Sequence, residues 1–264
     1  NAPRVVAGAS VTGSAQFNVH YLVPGSSSTL YTLDVGADNV SVFPLIRSVN
    51  TTTGAITTVM TGALQSGTSE YPSALTVSGS TGYLVTNLGV YSVNLTTGTR
   101  TLVSAAIGNN LVNTHQLALD SARNRLLLAS SSYAYLIAID LNTGAQTPFS
   151  ESTASGPALA APWGVAMSPS GEIWVSDGTA GVFRVDATSG ARTLVSGAGT
   201  PDNETQPTGG SAGFTALRFD GDALYGIGEE GTIFQIDTRS GHRAVIFSGW
   251  SFPRNRAPSG GISS

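Results

Sequence analysis

The chain has 264 residues, a formal net charge of −4 and charged side chains at only 11 % of positions, and it contains neither Cys nor Lys, so all 12 positive side chains are Arg. Those absences exclude thiol nucleophiles, disulfides, Cys-ligated zinc, iron–sulfur clusters and lysine Schiff bases. A pI of about 5.2 without basic clusters excludes a nucleic-acid groove, and no apolar run approaches the ~18 residues of a membrane helix.

From the N-terminus, residues 5–9 and 16–23 read as two strands joined by a Thr12-Gly13 link. Residues 30–35, 40–45, 46–50 and 55–60 read as the next four, the last two joined by Asn50-Thr51-Thr52-Thr53-Gly54. That link returns as Asn94 to Gly98, Asp140 to Gly144, Asp186 to Gly190 and Asp237 to Gly241, each time between alternating apolar runs. Its glycines lie 44, 46, 46 and 51 residues apart, the period of a propeller blade at ~40–50 residues. The Gly is expected to supply a positive φ, and the Asx side chain to bond its own turn. Inside one unit, 74–78, 83–86, 90–95 and 99–104 read as four strands. Turn signals such as Ser168-Pro169-Ser170-Gly171 and Asp220-Gly221-Asp222 separate the first two strands of later units.

The predicted fold is therefore all-β: one six-bladed β-propeller of four-stranded antiparallel blades over 1–264. Blades fall near 24–60, 61–104, 105–150, 151–196 and 197–248, with a closing blade sewn from 1–23 plus 249–264. Ring closure of this kind leaves only short, protected edges. A five-bladed ring with loose ends is the alternative, because no segment supplies the closing blade's second strand. A single-stranded solenoid would need shorter periods.

The run from Ala161-Pro162-Trp163-Gly164-Val165-Ala166 through Gly171-Glu172-Ile173-Trp174-Val175-Ser176-Asp177, continued by Gly181-Val182-Phe183-Arg184-Val185-Asp186, resembles the NHL-type repeat. The resemblance spans about 70–247 and implies a six-bladed scaffold whose relatives include gluconolactonases, strictosidine-synthase-like enzymes and plain binding modules. Calcium-dependent members hold their ion with a spaced Glu/Asn/Asp set, which has no residue-by-residue match here. No catalytic residue is carried over, and fold does not fix function.

Long loops on a rigid scaffold are where function sits. The long ones here join blades, at 61–72, 105–114, 151–161 and 197–212, and they share a rim with the links between strands two and three. His115 enters its blade at that mouth and is the candidate general base of an enzyme; the plain alternative is a strand-end cap. The candidate binding rim is Glu70, Tyr71, Asn110, Asn113, Tyr133, Trp163, Asp177, Asn203, Glu204, Glu229 and Glu230. Oxygen-rich mouths suit calcium, with Asp202 and Glu204 as its candidate ligands, against the plain reading of a solvated acidic rim. His20 and His242 lack metal-site spacing. Tyr71, Tyr133, Tyr135 and Trp163 are able to stack on a sugar or peptide, against the plain reading of inter-blade packing, which is the better one for Trp163 and Trp174.

Ser and Thr make up roughly a quarter of the chain, well above ordinary usage, and few groups titrate. This favours a secreted, periplasmic or surface bacterial module that binds a protein or glycan, or packs into a surface assembly. The alternative is a secreted lactonase or polysaccharide lyase using His115 and rim carboxylates. An open funnel with His115 bonded to a carboxylate would favour the enzyme, and a plugged channel the binding module.

Overall fold

The computed structural model describes residues 19–26, 28–37, 42–62, 69–107, 111, 113–197, 214–228 and 232–247. Each recurring Asx-to-Gly link builds the same turn. The side-chain oxygens of Asn50, Asn94, Asp140, Asp186 and Asp237 each accept the backbone amides two and three residues on, at 2.6–3.1 Å. Those bonds hold the Asp140, Asp186 and Asp237 carboxyls below the usual carboxylate range. The glycine closing each link has φ between +72° and +77°. It also lies against the preceding blade: a Cβ at Gly98, Gly144 or Gly241 would sit 2.1, 2.2 or 1.9 Å from the carbonyl oxygen of Val59, Val103 or Val195. Dihedral and space both demand glycine.

These turns close five four-stranded antiparallel sheets among the described residues. The first holds Val19–Pro24 (β1), Thr29–Ala37 (β2), Val42–Asn50 (β3) and Ile56–Thr61 (β4). The second holds Pro72–Ser78 (β5), Thr81–Thr86 (β6), Gly89–Asn94 (β7) and Arg100–Ala105 (β8). The third holds Thr114–Asp120 (β9), Arg125–Ser130 (β10), Leu136–Asp140 (β11) and Gln146–Phe149 (β12). The fourth holds Pro162–Met167 (β13), Ile173–Asp177 (β14), Gly181–Val185 (β15) and Arg192–Ser196 (β16). The fifth holds Ala216–Asp220 (β17), Ala223–Ile227 (β18), Ile233–Ile236 (β19) and Arg243–Phe247 (β20). The first strands pack side by side in the order β1, β5, β9, β13, β17, so the sheets radiate from a common axis as propeller blades.

Alternation along each strand sends side chains to opposite faces, and both faces of the central blades are covered. On β10, Leu127 and Ala129 enter the core shared with the fourth sheet, while Leu126 and Leu128 enter the core shared with the second. Similar cores join the first and second sheets and the fourth and fifth. Hydroxyl latches reinforce three of the joints: Ser104, Ser150 and Ser196 donate to the carbonyls of Gly144, Gly190 and Gly241 at 2.7, 2.7 and 2.6 Å. No such core joins the fifth sheet to the first among the described residues. Ile227, Ile246 and Phe247 of the fifth are 42, 51 and 45 % exposed, and Leu22 on β1 is 58 % exposed.

The first blade corrects the sequence reading. Its inner strand is β1, which pairs with β2 and was assigned to the closing blade. The segment 40–50, read as two strands, contains one nine-residue strand, β3. Nothing between Leu45 and Ile46 breaks a strand, so the even spacing misled. The five-bladed alternative fits the described sheets. The rest of the expected closing blade, 1–18 and 249–264, lies outside the described residues.

Candidate functional site

At mid-height one side chain bridges three inner strands. Gln116, on β9, lays its amide along the edges of two other inner strands. Its Nε2 donates to the Leu217 carbonyl at 2.6 Å, and its Oε1 accepts the amides of Leu217 and Val165 at 3.0 and 3.2 Å. Inner-strand groups facing a channel need partners, and this side chain supplies them. Gly164 leaves the room, since a Cβ there would lie 3.0 Å from Gln116 Oε1 and 2.5 Å from Ser176 Oγ. Tyr21, from β1, donates to the His115 carbonyl at 2.5 Å. Burial pushes its hydroxyl pKa up to about 12, so it stays a donor throughout the physiological range.

Above this bridge lies the mouth. His115 is half-buried and stacks on Trp163 with ring centroids 3.9 Å apart and planes at 14°. Its Nε2 lies 2.9 Å from Ser131 Oγ, and burial lowers its pKa, so the ring is neutral near pH 7. Among the described residues no carboxylate bonds His115. Asn113 is exposed, with φ +62°, and donates to Ser132 Oγ at 3.0 Å. Tyr133 and Tyr135 stack on each other at 5.2 Å and lean on the core beneath. Tyr71 is 54 % exposed. Its backbone amide is bonded by Asn87 Oδ1 at 2.7 Å, which ties an inter-blade loop to the β6–β7 link and puts both on one rim.

Two acids expected as rim contacts are buried struts instead. Glu70 accepts from Thr86 Oγ1 at 2.9 Å and from Arg100 Nη1 at 2.9 and 2.8 Å, while its own amide bonds the Val42 carbonyl of the first sheet. Asp177 is fully buried. One of its oxygens accepts the amides of Ala160 and Ala161, and the other accepts the amides of Thr179 and Ala180 and the Thr179 hydroxyl. Burial pulls its pKa up, yet these bonds together leave it below the usual range. Both carboxylates are spent on holding the loops in shape.

Asn110, Asp202, Asn203, Glu204, Glu229 and Glu230 lie outside the described residues, and so do both expected calcium ligands. Among the described residues no three His, Asp or Glu side chains come together in a way that could hold a metal ion. Sequence reasoning missed Tyr21, Gln116 and Ser131. Only Gln116 carries a signal, as a polar residue inside an inner strand.

No known family model matches the chain, and no curated protein does. Solved structures share its shape. A chain of the nidogen/laminin complex superposes with a TM-score of 0.60 at 16 % identity, over 84 % of this chain and 76 % of that one. The extracellular domain of BT4673 from B. thetaiotaomicron does so with a TM-score of 0.59 at 14 % identity, over 89 % of this chain and 28 % of that one. A protein of unknown function from Bacteroides thetaiotaomicron VPI-5482 follows with a TM-score of 0.57 at 13 % identity, over 85 % and 57 %. The chain thus spans just over half of the last of these and under a third of the BT4673 chain. Fold and likeness together define a β-propeller. No helix among the described residues is long and apolar enough to cross a membrane.

Proposed function

We propose that this propeller is a secreted, NHL-type binding module that takes a protein or glycan on its upper rim. The observation that carries the reading is the His115–Trp163 stack, a broad ring surface above the inner strands that Gln116 bridges. Flat aromatic faces grip sugar rings and apolar side chains at low entropic cost. Asn113, two residues before His115, adds an exposed amide, and Tyr71 on the same rim carries an exposed ring. The nidogen/laminin likeness supports a protein partner, and the extracellular domain of BT4673 supports a location outside the cell.

The test is binding to arrays of purified extracellular proteins and defined oligosaccharides. Any ligand found should lose about tenfold or more in affinity with Trp163→Ala, the scale of a central hot spot. Unchanged thermal stability in that variant would separate lost contact from lost fold. Equal binding by the variant, or no binder in either array, defeats the reading.

A further inference from the structure

Below Gln116 lies a second recess, open to solvent and distinct from the upper rim. It is a cavity of about 290 Å³ walled by four inner strands, among them Thr76 and Ser78 of β5, Leu119 of β9, Met167 of β13, and Arg218 and Phe219 of β17. Its volume is at the lower end of ligand pockets, so it admits one small organic group. Leu119, Met167 and Phe219 are half-buried and give one apolar wall; Thr76 and Ser78 carry hydroxyls on another.

Among the described arginines, Arg218 and Arg239 stand apart from the rest, and of these two it is Arg218 that lines the recess. Arg47, Arg100, Arg123, Arg125 and Arg184 each meet a carboxylate within 4.0 Å. Arg192 and Arg243 are held by hydrogen bonds to backbone or hydroxyl oxygens. Arg218 lines the cavity and makes neither kind of contact among the described residues. Arg218 is exposed; partial desolvation lowers its pKa, outweighing the opposite pull of Asp220. Asp220 lies two residues along the same strand, is exposed, and is not close enough for an ion pair. A guanidinium is planar, stays charged and presents paired donors that match a carboxylate.

We propose that this lower recess binds an organic monocarboxylate, with Arg218 pairing the carboxylate and the short tail lying against Leu119, Met167 and Phe219. The same chemistry is offered by a free small acid and by the C-terminal carboxylate of a peptide. The recess does not depend on the upper rim, so the two readings fail separately.

The experiment is thermal-shift and calorimetric titration with sodium butyrate, butyramide, and a tetrapeptide ending in valine as the free acid or the amide. Either acid should raise the melting temperature saturably, above a sodium chloride control, while its uncharged partner does not. A response to butyrate assigns free acids, and one confined to the peptide acid assigns chain ends. Arg218→Gln should weaken the effective acid at least about tenfold while leaving the unliganded melting temperature unchanged, since the Arg218 side chain makes no hydrogen bond or ion pair among the described residues. Ser78→Trp, at an exposed lining position, should block entry and abolish the response. If wild type responds to neither acid, or if Arg218→Gln responds like wild type, the proposal is overturned.

Discussion

The fourth and fifth blades share a connectivity and a link motif but not a degree of enclosure. All five residues of β14 are buried, whereas its counterpart β18 alternates, with Leu224 and Gly226 buried and Ile227 exposed. Among the described residues, the fourth blade has a blade on each face and the fifth is packed on one. A propeller strand is thus hydrophobic on as many faces as it has neighbours, and identical local chemistry yields unequal protection.

The largest expected effect tests that difference directly. Ile173→Ala, on β14 at 0 % exposure, should cost about 2–5 kcal/mol in urea denaturation. Ile227→Ala, on β18, should cost less than about 1 kcal/mol. Equal losses would show that the two blades are enclosed alike. Next come the glycines. Gly241→Ala meets both a φ of +77° and the Val195 carbonyl, and should cost about 2–4 kcal/mol. Gly221→Ala meets a φ of +55° but open space, and about 1 kcal/mol is expected. If the two cost the same, the glycine contact between fourth and fifth blades carries no energy.

Ser196→Ala removes the hydroxyl that bonds Gly241 and receives Arg243 Nε at 2.6 Å. A loss of about 1–3 kcal/mol is expected from leaving those groups unmatched. A loss near zero would mean that packing alone joins these blades. The smallest effect concerns the His115–Trp163 stack between the third and fourth blades. Burial lowers the His115 pKa, so the fold favours the neutral ring. Its contribution is complete above the ordinary 6.5 and fades as pH falls through that value. Melting temperature should therefore drop more between pH 7.5 and 5.5 in wild type than in His115→Gln. Parallel curves would remove the titration from the account.

The Asx-to-Gly links were legible because each needs a particular chemistry, an oxygen for two amides and a residue without Cβ. The position of His115 at the mouth followed from the same framework. The role of Gln116 was not legible, because its partners Val165 and Leu217 lie 49 and 101 positions away. Glu70 and Asp177 looked like rim ligands because a string of letters shows an acid near a loop but not where its oxygens point. In the first blade, a nine-residue strand with no breaker between Leu45 and Ile46 was divided there to satisfy a period that the longer β2 and β3 do not keep.

The serine on the last strand of one blade and the glycine carbonyl of the next form a joint with a sense of direction. The third and fourth repeats each carry a socket for their successor and a plug for their predecessor. Tandem duplication of one such unit would therefore lengthen the array without inventing a contact, and each newcomer would arrive already keyed at both ends.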